Sequence, residues 1–301
     1  MPVTEEINWL GHIVPAWNGI VRDIEIPYHE TLVTPQATGR VVLALEHRQR
    51  AGSYRARATL WYLRTLQRMG KLPRAGIAVM VDSVAMAAAW SWAAKTMQIP
   101  AVLFVPSVHA PELAALCGDG VCVQVADSDV AARCAVYAHS VGALVPARED
   151  PMLAAGAGTW VRDIRCLVPN LTTVIIPGSD HGLVPGTVAA ADWNGINTVL
   201  AVREDALSPP AVHRFSADGT ELDGMAADHH PVQLGSVTVT ATALETADRI
   251  LRQYQHGVTG EGATPLAALM TPATDPGCGY QLESGETVAL LLAGPPDLSR
   301  C

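Results

Sequence analysis

The feature that most constrains the fold is an alternation of short apolar runs with longer helical segments, which begins near residue 41. Such alternation is typical of β-α units, in which a helix connects two parallel strands. Most runs are continuously apolar, so we expect both faces of the strands to be covered. The pattern therefore predicts an α/β fold. The predicted strands are Val41–Leu45, Ile77–Val81, Ala101–Val105, Val121–Val125, Ala143–Val145, Thr173–Ile176 and Thr198–Val202.

Two helices are predicted from spacing and capping residues. Residues 54–69 have apolar side chains at helical spacing, with Ser53 as the N-cap, and residues 84–97 follow a strand with Asp82 or Ser83 as the N-cap. A helix that starts at the carboxyl end of a parallel strand favours anion binding there, because its first N–H groups are unpaired. Residues 178–182 form a second junction of this kind. Residues 206–240 show no clear period and read as loops.

The length of the chain and its net charge limit the classes of protein to which it can belong. A chain of 301 residues is near the upper limit for one core, which favours two domains. The formal net charge of −9 and the lack of a basic cluster argue against nucleic acid as a partner.

The apolar runs are far shorter than the roughly 20 residues of a membrane span, and the N-terminus is acidic, so a cytoplasmic protein is expected. The six cysteines show no CxxC spacing, which argues against a zinc site.

The order of segments resembles the fold-type II pyridoxal-phosphate-dependent enzymes, the superfamily of threonine dehydratase, serine racemase and the tryptophan synthase β-subunit. Residues 45–57 resemble an acidic strand end followed by Gly-Ser-Phe-Lys, residues 82–87 take the place of a Ser-Gly-Asn-His loop, and residues 155–159 resemble a Gly-Gln-Gly-Thr turn. The resemblance implies a homodimer whose subunit has a large domain (1–76 and 143–301) and a small domain (77–142). Further matching segments are 93–106, 178–182 (the phosphate cup), 201–205, 223–226, 262–269 and 288–294.

The departures from this family lie where the cofactor would sit. Arg55 takes the place of the Schiff-base lysine, and neither Lys71 nor Lys95 is placed to substitute for it. Ala85 replaces the asparagine that contacts the cofactor ring, and Ala293 replaces the Ser or Cys at the pyridine nitrogen. Ser179, Asp180 and His181 fill the phosphate cup.

These replacements argue against a bound cofactor. A guanidinium stays charged and cannot form the imine that a neutral lysine amine forms. Asp180 in the cup would repel a phosphate unless Arg55 or His181 offsets its charge. The sequence therefore predicts no pyridoxal phosphate, and no metal site either, because the adjacent histidines of Asp228-His229-His230 lack a third ligand.

Our leading hypothesis is a cofactor-independent lyase, isomerase or cyclase, in specialised biosynthesis, that acts on a small carboxylate-bearing substrate. Arg55 would bind the carboxylate or a developing oxyanion, and His181 would be the acid/base group. Asp180 or Asp82 would orient His181. The residues predicted to contact the substrate are Ser53, Ser83, Ser179 and Met86.

Several alternatives stay open at this point. Arg55 could pair with Glu46 or Asp82 in a purely structural role, and His181 could be a solvated surface histidine. The whole chain could be an inactive pseudoenzyme that serves as a scaffold or regulator. It could also hold pyridoxal phosphate non-covalently through Arg55 and His181. Of the tryptophans, Trp90 or Trp92 could line the pocket, although core packing is the simpler interpretation.

Overall fold

The computed structural model confirms an α/β fold built from parallel sheets flanked by helices. It describes residues 9–21, 24, 29–32, 39–109, 113–126, 128–148, 150–180, 182–205, 234–254, 256–258, 260–272 and 278–294. The strands are β1 (His29–Leu32), β2 (Arg40–Ala44), β3 (Ile77–Met80), β4 (Ala101–Pro106), β5 (Val121–Ala126), β6 (Thr173–Pro177), β7 (Asn197–Arg203), β8 (Leu234–Val239) and β9 (Thr287–Leu291). The helices are α1 (Trp9–Ile20), α2 (Arg55–Arg68), α3 (Val84–Met97), α4 (Val130–Val141), α5 (Pro151–Leu167), α6 (Leu183–Trp193), α7 (Ala241–Gln253) and α8 (Thr264–Met270).

Two sheets organise these strands. The larger has the order β1-β2-β9-β6-β7-β8, in which only the β1–β2 pair of the described strands is antiparallel. The smaller sheet has the order β3-β4-β5 and is parallel throughout. The sheets come from separate stretches of sequence, while the division at residues 77 and 142 itself stays a prediction.

The larger sheet is covered on both faces, as its continuously apolar strands predicted. In β2, Val42 and Ala44 join the core cluster that includes α2, α5 and α6, whereas Val41 and Leu43 join the cluster that includes α7 and α8. Because strand side chains alternate between faces, one apolar run supplies both cores.

Three local predictions were wrong. Residues 143–145 do not form a strand, because only an isolated bridge joins Leu144 to Ile77. Residues 234–239, expected in a loop-rich stretch, form β8 by pairing with β7, a partner that no local pattern indicates. Residues 155–159, expected as a turn, lie inside helix α5.

Glycines let α5 and α6 approach closely. A Cβ on Gly158 would lie 2.2 Å from the carbonyl oxygen of Gly186, and a Cβ on Gly186 would lie 1.8 Å from the carbonyl oxygen of Ala154. Larger residues at these positions would push the helices apart. This contact fixes the start of α6, which contributes to the site described below.

None of the helices in the described segments has the length and apolar character of a membrane span. The five cysteines in these segments are free thiols, while Cys301 lies outside them. Asp228, His229 and His230 also lie outside the described residues.

Candidate functional site

A cavity of ≈ 620 Å³ is lined by residues that follow strands of both sheets. The first turns of α2, α3 and α5 line it, together with the segments that precede α5, α6 and α8. Its polar lining is Tyr54, Arg55, Thr59, Asp82, Ser83, Arg148, Ser179, Asp180 and Glu261, and its remaining lining is Ala58, Met86, Trp90, Leu153, Ala157 and Gly182.

Arg55 is the first residue of α2 and points into this cavity. The N-cap of α2 is Tyr54 and not the predicted Ser53, but the hydroxyl of Ser53 accepts a hydrogen bond from the Arg55 backbone N–H at 3.2 Å. Ser53 is only 1% exposed and does not line the cavity. The structure thus gives Ser53 a role in positioning Arg55 instead of the substrate contact that the sequence suggested.

Asp180 is held by four donors at the start of α6. Its Oδ1 accepts the backbone N–H groups of Gly182 at 3.0 Å and Leu183 at 3.1 Å. Its Oδ2 accepts hydrogen bonds from the Tyr54 hydroxyl and from Nη2 of Arg55. One carboxylate therefore caps α6 and pairs with the arginine that begins α2.

Electrostatics keep this pair ionised. Burial opposes ionisation of Asp180, but Arg55, the Tyr54 hydroxyl and the two backbone N–H groups outweigh it and hold the pKa of Asp180 below its usual value. Burial likewise disfavours the charged form of Arg55, yet neighbouring Tyr54 and Asp180 raise the pKa of Arg55. The guanidinium also lies over the Tyr54 ring, 4.9 Å from its centroid.

A second ion pair lies at the exposed side of the cavity. Nη2 of Arg148 donates to Oδ2 of Asp82, and both side chains are about half exposed. Asp82 follows β3 of the smaller sheet, whereas Arg148 precedes α5. Ser83, next to Asp82, caps α3 by accepting the Met86 N–H at 3.3 Å, so its hydroxyl is engaged at the cavity wall.

The inner wall of the cavity is apolar. Met86 and Trp90 project from α3, and Leu153 projects from α5. Trp90 is 3% exposed and packs edge-on against Tyr62, which fixes the ring orientation. Trp92 belongs to the core and does not line the cavity.

Glu261 adds a third carboxylate to the lining. Partial burial and the nearby charge of Asp180 raise its pKa, and Arg55 acts in the opposite direction. Within the described segments its carboxylate has no hydrogen-bond or ion-pair partner. Its raised pKa and its lack of a partner among these residues make Glu261 a candidate for proton transfer.

The expected pairing of Arg55 with Glu46 or Asp82 was wrong. Glu46 instead pairs with the buried Arg57, and Asp82 pairs with Arg148. His181 lies outside the described residues, so its assigned role stays a prediction. Ser179 and Met86 line the cavity, as do Asp82 and Asp180.

Sequence reasoning missed Tyr54 and Arg148 as cavity residues. Tyr54 could have been found from its place directly before Arg55 at the start of a helix. Nothing in the local sequence marks Arg148, because only the tertiary structure brings it to Asp82.

The two sheets, with a cleft between them that helix N-termini face, define the fold of the fold-type II pyridoxal-phosphate-dependent enzymes. The chain shares this fold with serine racemase and threonine deaminase, as the sequence resemblance implied. No family model matches the chain.

Individual relatives agree with this placement. The L-threonine ammonia-lyase of Geobacter sulfurreducens is 26% identical in an alignment of 277 residues that covers 84% of this chain and 66% of that enzyme. This chain therefore spans just under two thirds of that relative. Serine racemase from Dictyostelium discoideum has a TM-score of 0.77 at 19% identity, over 95% of this chain and 97% of that one. Maize serine racemase has a TM-score of 0.76 at 19% identity, over 95% and 92% of the two chains.

The residues at the family's cofactor position do not fit pyridoxal phosphate. The N–H groups of Gly182 and Leu183, which a phosphate would need, are occupied by the carboxylate of Asp180. The two lysines of the sequence, Lys71 and Lys95, do not line the cavity, so neither side-chain amine faces it for an imine. Arg55, which the sequence resemblance predicts at the position of the lysine, supplies a permanent positive charge to the cavity.

Proposed function

We propose that the chain is an enzyme that acts on a small carboxylate-bearing molecule in this cavity without pyridoxal phosphate. One observation supports the proposal: Arg55 and Asp180, which the sequence resemblance predicts at the positions of the family's lysine and phosphate cup, form an ion pair with each other in the cavity. A dead cofactor site would need no such replacement of both partners. The reaction class that fits is that of a lyase, isomerase or cyclase.

Arg55 would stabilise negative charge that develops on the substrate. Asp180 and the Tyr54 ring fix its position, while 24% of its side chain stays exposed to the cavity. A guanidinium has five N–H donors, so pairing through one nitrogen leaves others for a ligand oxygen. A donor that is already fixed needs no rearrangement when charge develops, which is the basis of electrostatic stabilisation.

Proton transfer would fall to Glu261. Its raised pKa makes its ionised carboxylate a stronger proton acceptor than an ordinary glutamate. Asp180 is less suited, because its lowered pKa and four donors make it a weak proton acceptor. Ionised Glu261 would accept the proton removed from the carbon next to the substrate carboxylate, and Arg55 would stabilise the anion that this removal creates. His181 keeps its predicted acid/base role as an additional group.

The first experiment records the absorbance spectrum and intact mass of the purified protein before and after addition of pyridoxal phosphate and borohydride. The expected result is no visible band and no reduced adduct. A band or an adduct would return the protein to pyridoxal chemistry and overturn the cofactor part of the proposal.

The second experiment tests catalysis with a panel of small hydroxy, amino and unsaturated carboxylates followed by NMR. Glu261→Gln should abolish most turnover. The remaining rate should lack the decrease at low pH that protonation of Glu261 causes in the wild type. Glu245→Gln, an exposed charge on α7, is the matched control and should leave turnover unchanged. Equal turnover in wild type and Glu261→Gln would exclude Glu261 as the proton-transfer group.

A second candidate is a binding protein without catalysis. It is favoured by the observation that the cavity's two arginines are each paired with a carboxylate of the chain itself. This candidate predicts ligand binding in calorimetry together with no turnover of any substrate in the panel.

A further inference from the structure

The two ion pairs of the cavity are held very differently. In the Arg55–Asp180 pair the side chains are 24% and 15% exposed, and Asp180 accepts three further hydrogen bonds, from Tyr54, Gly182 and Leu183. In the Arg148–Asp82 pair the side chains are 55% and 46% exposed. Among the described residues, neither Arg148 nor Asp82 has another side-chain hydrogen bond or ion pair, and Asp82 interacts with Arg55 only through its charge.

The free-energy cost of displacing the carboxylate of each pair by a ligand anion would therefore differ. Displacing Asp180 would leave a carboxylate without its cation and two N–H groups at the start of α6 without an acceptor. Displacing Asp82 would only return an exposed carboxylate to water, where its hydration replaces a weak surface pair. A ligand anion would thus compete far more easily for Arg148 than for Arg55.

We propose that Arg148 is the residue that binds the carboxylate of the ligand, and that Asp82 is its counter-ion in the ligand-free protein. This inference rests on the proposed function and assigns the two arginines separate tasks. Arg148 anchors the substrate carboxylate through its planar fork, and Arg55 faces the charge that develops during reaction. The sequence had assigned both tasks to Arg55.

The cavity lining also indicates what the carboxylate is attached to. Met86, Trp90 and Leu153 form an apolar wall in the same cavity as Arg148. A ligand held at Arg148 by its anionic end would place an apolar body against that wall. The ligand class is therefore a small carboxylate with an aliphatic or aromatic portion.

Isothermal titration calorimetry with 4-methylpentanoate and its uncharged amide tests this inference. The acid should bind and the amide should bind about tenfold more weakly or not at all, because a charge-assisted hydrogen bond is lost. Arg148→Gln should weaken binding of the acid about tenfold or more. Asp82→Asn should strengthen it roughly two- to fivefold, because the competing carboxylate is removed.

Arg203→Gln is the matched control, since Arg203 also forms an exposed pair with an aspartate, Asp205, outside the cavity. It should leave the affinity unchanged, and circular dichroism should show that every variant is folded. The gain in Asp82→Asn is the decisive readout, because a merely structural ion pair would give no gain.

Three results would overturn the inference: unchanged affinity in Arg148→Gln, weaker binding in Asp82→Asn, or no binding of the acid to either wild type or Asp82→Asn. If Arg55→Gln abolishes binding and Arg148→Gln does not, Arg55 is the residue that binds the carboxylate. That result leaves the proposed function standing. A pyridoxal-phosphate band in the spectrum would instead overturn the proposed function, so the two failures are distinguishable.

Discussion

Arg57 and Glu46 form a two-pronged ion pair that is wholly excluded from solvent. Nε and Nη2 of Arg57 donate to the two oxygens of Glu46 at 2.9 and 2.8 Å, and Nη1 donates to Asp163 at 2.5 Å. Asp163 also accepts the indole N–H of Trp17 at 2.6 Å. This network ties α2 to the end of β2 and to α1 and α5, and it fixes the helix turn from which Arg55 enters the cavity.

Arg57→Met should lower the free energy of unfolding by about 3–5 kcal/mol, because it leaves buried carboxylates without a cation. Urea denaturation measures this change. Arg203→Met is the matched control, since its pair with Asp205 is exposed and screened by water and should change the free energy of unfolding little. Equal effects in the two variants would contradict the structural role of the buried network.

The contribution of Asp180 to stability should disappear in acid. Its folded pKa is below the unfolded value of about 3.9, so its stabilisation is complete above that pH and is lost as the pH falls through the folded pKa. Asp180→Asn keeps an oxygen that can cap α6 but loses the charge. The difference in unfolding free energy between wild type and Asp180→Asn should be largest near pH 7 and shrink below about pH 4. A difference that stays constant with pH would contradict this assignment.

Gly158→Ala should destabilise the protein by about 1–3 kcal/mol, although alanine is the better helix former, because its methyl group would collide with the backbone of α6. Gly235→Ala is the control, since no atom lies within 4 Å of its added Cβ and the residue lies in a strand. Thermal unfolding of both variants checks the prediction. A Gly158→Ala protein as stable as wild type would show that α5 and α6 do not meet at this position.

His47 should make stability fall as the pH decreases through the weakly acidic range. Burial, with help from His256 and Arg48, lowers the pKa of His47 from 6.5 to about 4. The unfolded chain therefore takes up this proton first, and stability is lost between about pH 6.5 and 4.

Two measurements check this behaviour of His47. An NMR titration should show its imidazole titrating near pH 4. His47→Gln should flatten the dependence of unfolding free energy on pH, whereas His139→Gln, a change of an exposed histidine on α4, should not. Titration of His47 near its usual value would refute the prediction.

The sequence by itself determined the class of fold and pointed to Arg55 and Asp180 as residues of one site. Continuous apolar runs between helical segments required parallel strands covered on both faces, because only such strands have no polar face. The resemblance to the family's order of segments predicted that Arg55 and Asp180 lie at the same site, and the two residues form an ion pair with each other in the folded protein. Neither conclusion needed long-range information, since each depends on local pattern or on position within a known order.

The tertiary structure alone decided which charges meet. The sequence suggested Glu46 or Asp82 as a partner for Arg55. In the folded protein Arg55 pairs with Asp180 instead. The other ion pairs are Glu46–Arg57 and Asp82–Arg148. Partners such as Asp82 and Arg148 are 66 residues apart, and no local pattern encodes the distance between them. Strand β8 was missed for the same reason, because its place in the sheet comes from pairing with β7. Contacts between segments depend on how whole helices and sheets pack, and this packing also sets which arginine of the cavity is free to exchange its partner.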